Sequence, residues 1–149
     1  MFEYIDIVFP KQKKELPTGN REYKIFLDLE KETKTDIRKT RKLSKPQLHY
    51  MRKEKLERKI NKRASQLRYR LEEGKGRALY IIGVKDDGTP EGITIDLLFT
   101  SLDFLFKMVS IVNARIINIR IYRGHEPGKY IFTARIDIPD YIPHGLLSI

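Results

Sequence analysis

At 149 residues the chain has the size of one domain and enough length to bury a core without staples. It contains no cysteine and only three histidines (His49, His125 and His144), which excludes a disulfide framework or thiolate metal site and argues against a histidine cage. A net charge of +10, with no apolar run near the ~20 residues of a membrane span, points away from membranes and toward a polyanionic partner.

Phe2 to Phe9 alternates Phe2, Tyr4, Ile5, Ile7 and Phe9 with Glu3 and Asp6, and Pro10 ends it, which predicts an edge strand. Those acids are foreign to a signal peptide, so a cytoplasmic location is expected. Lys11 to Asn20 reads as a polar loop with Pro17 and Gly19. Glu22 to Leu29 alternates again, with Tyr23, Ile25, Leu27 and Leu29 on one face and Glu22, Lys24, Phe26 and Asp28 on the other. Lys31 to Ser44 has only Ile37 and Leu43 as large apolar residues and is expected to be a mobile basic loop.

From Pro46 to Glu73 the period becomes helical, with Leu48, Met51, Leu56, Ile60, Ala64, Leu67 and Leu71 forming a stripe. Ser44 suits the N-cap and Pro46 the first turn. The other flank carries Arg52, Lys53, Lys55, Arg58, Lys59, Lys62, Arg63, Arg68 and Arg70. Between Lys31 and Arg63 there are fourteen basic residues against four acidic ones, an excess equal to that of the whole chain. A solvated charged face is the plain reading, but one-signed charge repels itself along a helix, and a face turned to nucleic acid is expected. Tyr50 and Tyr69 suit stacking on unpaired bases, which predicts a preference for single strands with little sequence discrimination.

Gly74 is expected to cap this helix in the left-handed conformation open to glycine. Ala78 to Val84 then reads as a buried central strand, and Lys85-Asp86-Asp87-Gly88 as a tight turn. Thr94 or Ile95 to Asn113 is predicted as a second helix packed through Leu98, Leu102, Leu105, Phe106, Val109 and Val112. Ala114 to Tyr122 and Tyr130 to Ile138 should form an antiparallel hairpin around Gly124 to Gly128. In the tail, Leu146, Leu147 and Ile149 need a surface to cover. The sum is an α+β domain: a mostly antiparallel sheet of about five strands with two helices on one face.

Walker loops, a Gly-x-Ser-x-Gly elbow and HExxH are all absent. What remains is Glu22 near the start of one strand, Asp86 at the end of another, and Lys24 beside Glu22. Carboxylates converging from separate elements make an oxygen-rich site for Mg²⁺ or Mn²⁺, which can activate water against a phosphodiester while a lysine neutralises the phosphate. Spacing alone leaves open whether they meet, and both Asp86 and Asp87 also suit a simple turn.

The segments GNREYKI (19–25) and LRYRLEEGKGRALYIIGVKDDGTPEGI (67–93) resemble the two hallmark blocks of the Schlafen AlbA-type core. Glu22-Tyr23-Lys24 and Ile82-Gly83-Val84-Lys85-Asp86 match its Glu-aromatic-Lys strand and its strand ending in Ile-Gly-Val-x-Asp. The resemblance implies one domain over 1–149 with a basic insert at about 31–63. Its activity would be a divalent-metal-dependent endonuclease acting on single-stranded DNA or structured RNA. It places two of three catalytic acids on Glu22 and Asp86. The third family position falls on Pro17, and the nearest acid is Glu15, seven residues before Glu22. The implied site is therefore Glu22, Asp86 and Glu15 as Mg²⁺ or Mn²⁺ ligands with Lys24 assisting; the one-signed charge of the helix, not the resemblance, assigns Arg52, Lys55, Arg58, Lys59, Lys62, Arg63 and Arg70 to holding the nucleic acid. The same blocks also resemble the amino-terminal domain of the GTP-binding-protein-one type of translational GTPases, which implies instead a non-catalytic RNA- or ribosome-binding accessory domain. Whether the chain forms a homo-oligomer stays open.

Overall fold

The computed structural model describes residues 2–28 and 44–142. The elements run β1 (Phe2–Val8), β2 (Arg21–Lys24), α1 (Lys45–Glu73), β3 (Arg77–Ile82), α2 (Ile95–Ile111), β4 (Arg115–Arg123) and β5 (Tyr130–Asp137). One five-stranded sheet has the order β1-β4-β5-β3-β2, so β1 is an edge strand as its proline stop predicts. The longer ladders, β4 with β5 and β3 with β5, are antiparallel, which makes the α+β sheet mostly antiparallel. Its two outer pairings, β1 with β4 and β2 with β3, are parallel. Parallel neighbours need a crossover, and α1 is the crossover from β2 to β3.

The two faces of the sheet bury different sets of side chains. On the helix side Leu67 and Leu71 of α1 and Leu98, Leu105 and Met108 of α2 pack with Tyr80, Ile82, Ile119 and Phe132 of the sheet. On the other side Phe9, Tyr23, Ile81, Val84 and Ile131 form a smaller cluster. Side chains as fully buried as Leu105 and Phe132 each contribute about 1.5–3 kcal/mol from apolar burial. The alternation from Phe132 to Ile136 of β5 reads directly off the sequence, whereas β3 is a continuous apolar run that serves both faces.

Ser44 caps α1 in a full capping box with Gln47. At 29 residues the helix is about 43 Å long. Among the described residues the apolar stripe is buried only at Ala64, Leu67 and Leu71, with Ile60 packed at the margin. Leu48, Met51 and Leu56, expected in that stripe, are not part of the core. The amino-terminal half of α1 thus reaches past the sheet with its cations.

Three expectations change. The second strand stops at Lys24 instead of Leu29, because β3 leaves the ladder at Gly83 and both Gly83 and Val84 donate to the Lys24 carbonyl, at 2.7 and 3.2 Å. Ile25 is therefore exposed, and the Leu27 N–H is met by Ser101 Oγ of α2 at 2.9 Å. Gly74 caps α1, but at φ −92°, and the left-handed residues are Lys75 and Gly76. Gly74 is needed for space: a Cβ there would lie 1.8 Å from the Arg77 carbonyl oxygen. In α2, Phe106 faces solvent, and Phe104 and Met108 fill the core with the other predicted positions except Val112, which packs at its edge. Of the basic loop expected over Lys31 to Ser44, residues 31–43 lie outside the described residues, as do the apolar tail residues Leu146, Leu147 and Ile149.

A candidate carboxylate cleft beside a basic helix

Parallel pairing sets Glu22 opposite Tyr80 and Lys24 opposite Ile82, so both project to the helix side of the sheet. The chain leaving β3 turns at Lys85–Gly88, with the Gly88 N–H bonded to the Lys85 carbonyl at 2.8 Å. Gly88 takes φ +92°, and its bare Cα admits the Gln12 carbonyl, which a Cβ would meet at 2.0 Å. That contact brings the 11–20 loop to the turn, where the Glu15 N–H donates to the Asp86 carbonyl at 2.8 Å. An open cleft of about 540 Å³ results, lined by Glu15, Glu22, Lys24 and Asp86 and bordered by Lys62, Tyr69 and Arg70 of α1. All four residues expected to form the reactive site share it.

Arg70 holds this arrangement together. Expected on the exposed flank of α1, it is instead buried, with 4 % of its surface exposed. Its five N–H donors are all used. Nε and Nη2 bond Glu22 Oε2 at 3.0 and 2.8 Å, Nη1 bonds the carbonyls of Thr18 and Gly19, and Nη2 also bonds that of Leu16. One guanidinium thus ties helix, strand and loop. The sequence held a signal for this: Arg70 follows Leu67 by three positions and so flanks the buried stripe. The Tyr80 hydroxyl is buried with no hydrogen-bond partner among the described residues, and burial together with the nearby Glu22 charge raises its pKa far enough to keep it neutral.

The loop bends Glu15 back toward Glu22. Its Oε2 accepts the Tyr23 N–H, and Oε1 lies 3.7 Å from Arg70 Nη2. Burial, then the charges of Glu22 and Asp86, push the Glu15 carboxyl above its ordinary value of 4.5, against the lowering effects of the Tyr23 N–H and Arg70. The folded state therefore holds this proton more tightly than the unfolded chain, and the stability it confers is lost as pH rises from 4.5 through the raised value. Glu15→Gln should remove this fall while keeping the bond from Tyr23, so the variant should lose less stability between mildly acidic and neutral pH. Urea midpoints across that range measure it, and an unchanged pH slope in the variant contradicts the assignment.

Each glutamate has one oxygen anchored by a hydrogen bond, Glu22 Oε2 by Arg70 and Glu15 Oε2 by the Tyr23 N–H, while each Oε1 has only a longer contact to a cation. Lys24 Nζ stands 3.5 Å from Glu22 Oε1. The Asp86 carboxylate makes no hydrogen bond or ion pair among the described residues, whereas Asp87 Oδ1 accepts the Thr89 N–H at 2.9 Å and acts as a turn former. Carboxylates anchored through one oxygen are typical ligands for a hard divalent cation. Among the described residues no three His, Cys, Asp or Glu side chains are gathered into a ready-made metal cage. Mg²⁺ does not need one, since it is commonly held by one or two carboxylates, waters and substrate phosphates. One or two of Glu15, Glu22 and Asp86 thus fit such an ion in donor chemistry, completed from outside the protein.

Of the cations expected to hold nucleic acid, Lys55, Arg58, Lys59 and Lys62 line one shallow groove of about 210 Å³ on α1. Arg52 and Arg63 are half-buried along the same helix. Lys62 borders both groove and cleft. Tyr50 is exposed, and Tyr69 stands at the cleft edge with its hydroxyl bonded to the Pro17 carbonyl at 2.9 Å and to Glu73 at 3.1 Å. Among the described residues no helix is long and apolar enough to cross a membrane.

Neither a family model nor a solved structure matches the chain. It is similar to the uncharacterized protein R625 of Acanthamoeba polyphaga mimivirus, at 37% identity over 62 residues, which are 41% of this chain. The chain covers 33% of the length of that relative, and the likeness carries no function with it.

Proposed function

We propose that this chain binds nucleic acid along α1 and is a divalent-metal-dependent endonuclease of Schlafen-like type, cutting single-stranded DNA or structured RNA in the cytoplasm. The observation that carries this reading is that Glu15, Glu22 and Asp86 line one cleft, which shares Lys62 with the basic groove of α1. Carboxylates among Glu15, Glu22 and Asp86 would hold Mg²⁺ or Mn²⁺, which supplies an activated water and charge neutralisation at a phosphodiester. Lys24 and Lys62 neutralise the phosphate entering the cleft, and Arg70 fixes Glu22 from behind. The test is incubation of single-stranded DNA and RNA with Mg²⁺ or Mn²⁺, where nicking that EDTA stops is expected. Failure of either metal to support cutting of any single-stranded substrate ends this reading.

A second reading, a non-catalytic RNA- or ribosome-binding accessory domain, is favoured by the neutralisation of Glu22 by Arg70 and Lys24 without any metal. Both readings require the basic groove. Each phosphate contact should add about 0.7–0.9 to the slope of log affinity against log salt. Lys55→Ala, Arg58→Ala and Lys62→Ala together should thus lower the slope by about 2 with little change in fold. Fluorescence anisotropy over a salt series measures this, and an unchanged slope takes α1 out of the interface.

A further inference from the structure

We propose that the cavity enclosed by the 11–21 loop is a second phosphate-binding site, and that a single strand runs from the groove of α1 through the carboxylate cleft into it. This rests on the nucleic-acid reading above and extends it to a surface that the charge distribution of the sequence conceals. The cavity measures about 670 Å³, and Lys11, Lys13, Lys14 and Arg21 stand around it. In the sequence these four are masked by Glu15 and Glu22, which leave the segment with little net charge. In the fold both glutamates turn inward to Arg70 and the cations stay outside. Lys13, Lys14 and Arg21 have no carboxylate within ion-pair distance among the described residues.

Two further observations point to an anionic ligand held along a path. The loop is fixed from within: Gln12 N–H on the Gly88 carbonyl, Glu15 on Asp86 and Tyr23, Asn20 Nδ2 on the Arg77 carbonyl, Tyr69 on Pro17, and Arg70 on three loop carbonyls. Cations displayed from a fixed frame bind without the cost of ordering the loop. Neighbouring surfaces also share a lining residue. Lys62 lines both the α1 groove and the cleft, and Glu15 lines both the cleft and the loop cavity. A strand whose phosphates touch Arg58 and Lys62 of α1 meets the loop cations next once it has crossed the cleft. A phosphodiester chain is the polyanion of the right form, since it repeats its charge along a line.

The test compares Lys13→Ala/Lys14→Ala/Arg21→Ala with the triple α1 variant, using end-labelled oligothymidylates from about 4 to about 16 nucleotides, the span of ordinary single-strand sites. For the wild type, affinity should rise with length and then level off. The loop variant should bind the shortest oligomers as the wild type does. It should lose about tenfold or more on the longest, and its salt slope there should fall by about 2. Equal melting temperatures verify the fold, because these side chains are exposed and make no internal bond. If the loop variant matches the wild type at every length while the α1 variant fails, the second site is wrong and the nucleic-acid reading stands. Equal loss at every length also overturns the path, since the loop then acts only as a general field. If neither variant weakens binding, both readings fall together.

Discussion

Replacing Arg70 with alanine is expected to cost about 3–5 kcal/mol of stability, the range for removing one partner of a buried ion pair. The reason is local. Glu22 is 6 % exposed and its Oε2 takes two guanidinium bonds, so truncation strands a buried carboxylate. The carbonyls of Leu16, Thr18 and Gly19 lose their donor as well. Arg70→Lys should recover only part of the loss, because an ammonium cannot reproduce the fork. The double change Arg70→Met/Glu22→Met should be less destabilising than Arg70→Ala alone, since two apolar side chains can replace a buried pair at little net cost. Chemical denaturation of the four proteins gives the comparison. An Arg70→Ala protein within about 1 kcal/mol of the wild type would show that the pair is solvated and not an organising contact.

Cleavage should be lost most cleanly through Asp86. Its carboxylate is exposed and makes no internal bond, so Asp86→Asn removes negative charge from the cleft without disturbing the fold. Altering groups that merely orient a metal ligand costs about 10–100-fold, and loss of a ligand should cost at least as much. Glu22→Gln should abolish cutting too, but it also weakens the buried partner of Arg70, so a drop in thermal stability is expected with it. Glu15→Gln should remove cutting while leaving the Tyr23 bond, and Lys24→Ala should slow it less than any acid-to-amide change. Asp87→Asn is the control: an asparagine oxygen can still accept from Thr89, so nicking should proceed at the wild-type rate. Gel assays of nicking with binding measured on the same proteins separate the two steps. Wild-type nicking by Asp86→Asn places the cut outside this cleft.

The strand ends that carry Glu22 and Asp86 are legible in the sequence, but their pairing is decided by the fold. A strand carrying Glu22 and Lys24, a long helix and an apolar strand together make a parallel crossover, which sets the two strands side by side. Period-two and helical apolar patterns gave α1, β3, α2, β4 and β5 to within a residue or two, because burial on one face dictates them. The second strand ends at Lys24 although alternation continues in Ile25–Asp28, because its hydrogen-bond partner has turned away. Periodicity reports which face a residue would take, and only the neighbouring strand decides whether there is a ladder to join.

Composition and pattern alone thus determined an α+β domain with one strongly basic helix and acids at two strand ends, since those properties are carried by residues close in sequence. Tertiary structure decided the rest. Glu15 reaches the cleft because Gly88 lets the loop approach a turn more than seventy residues away. Arg70 changes from an exposed phosphate ligand to a buried fastener because its fork finds acceptors on a loop and a strand distant in the chain. Lys13, Lys14 and Arg21 become a cationic surface only once Glu15 and Glu22 are turned inward. Charge adds up along a sequence, but its field depends on which side of the backbone each group is held.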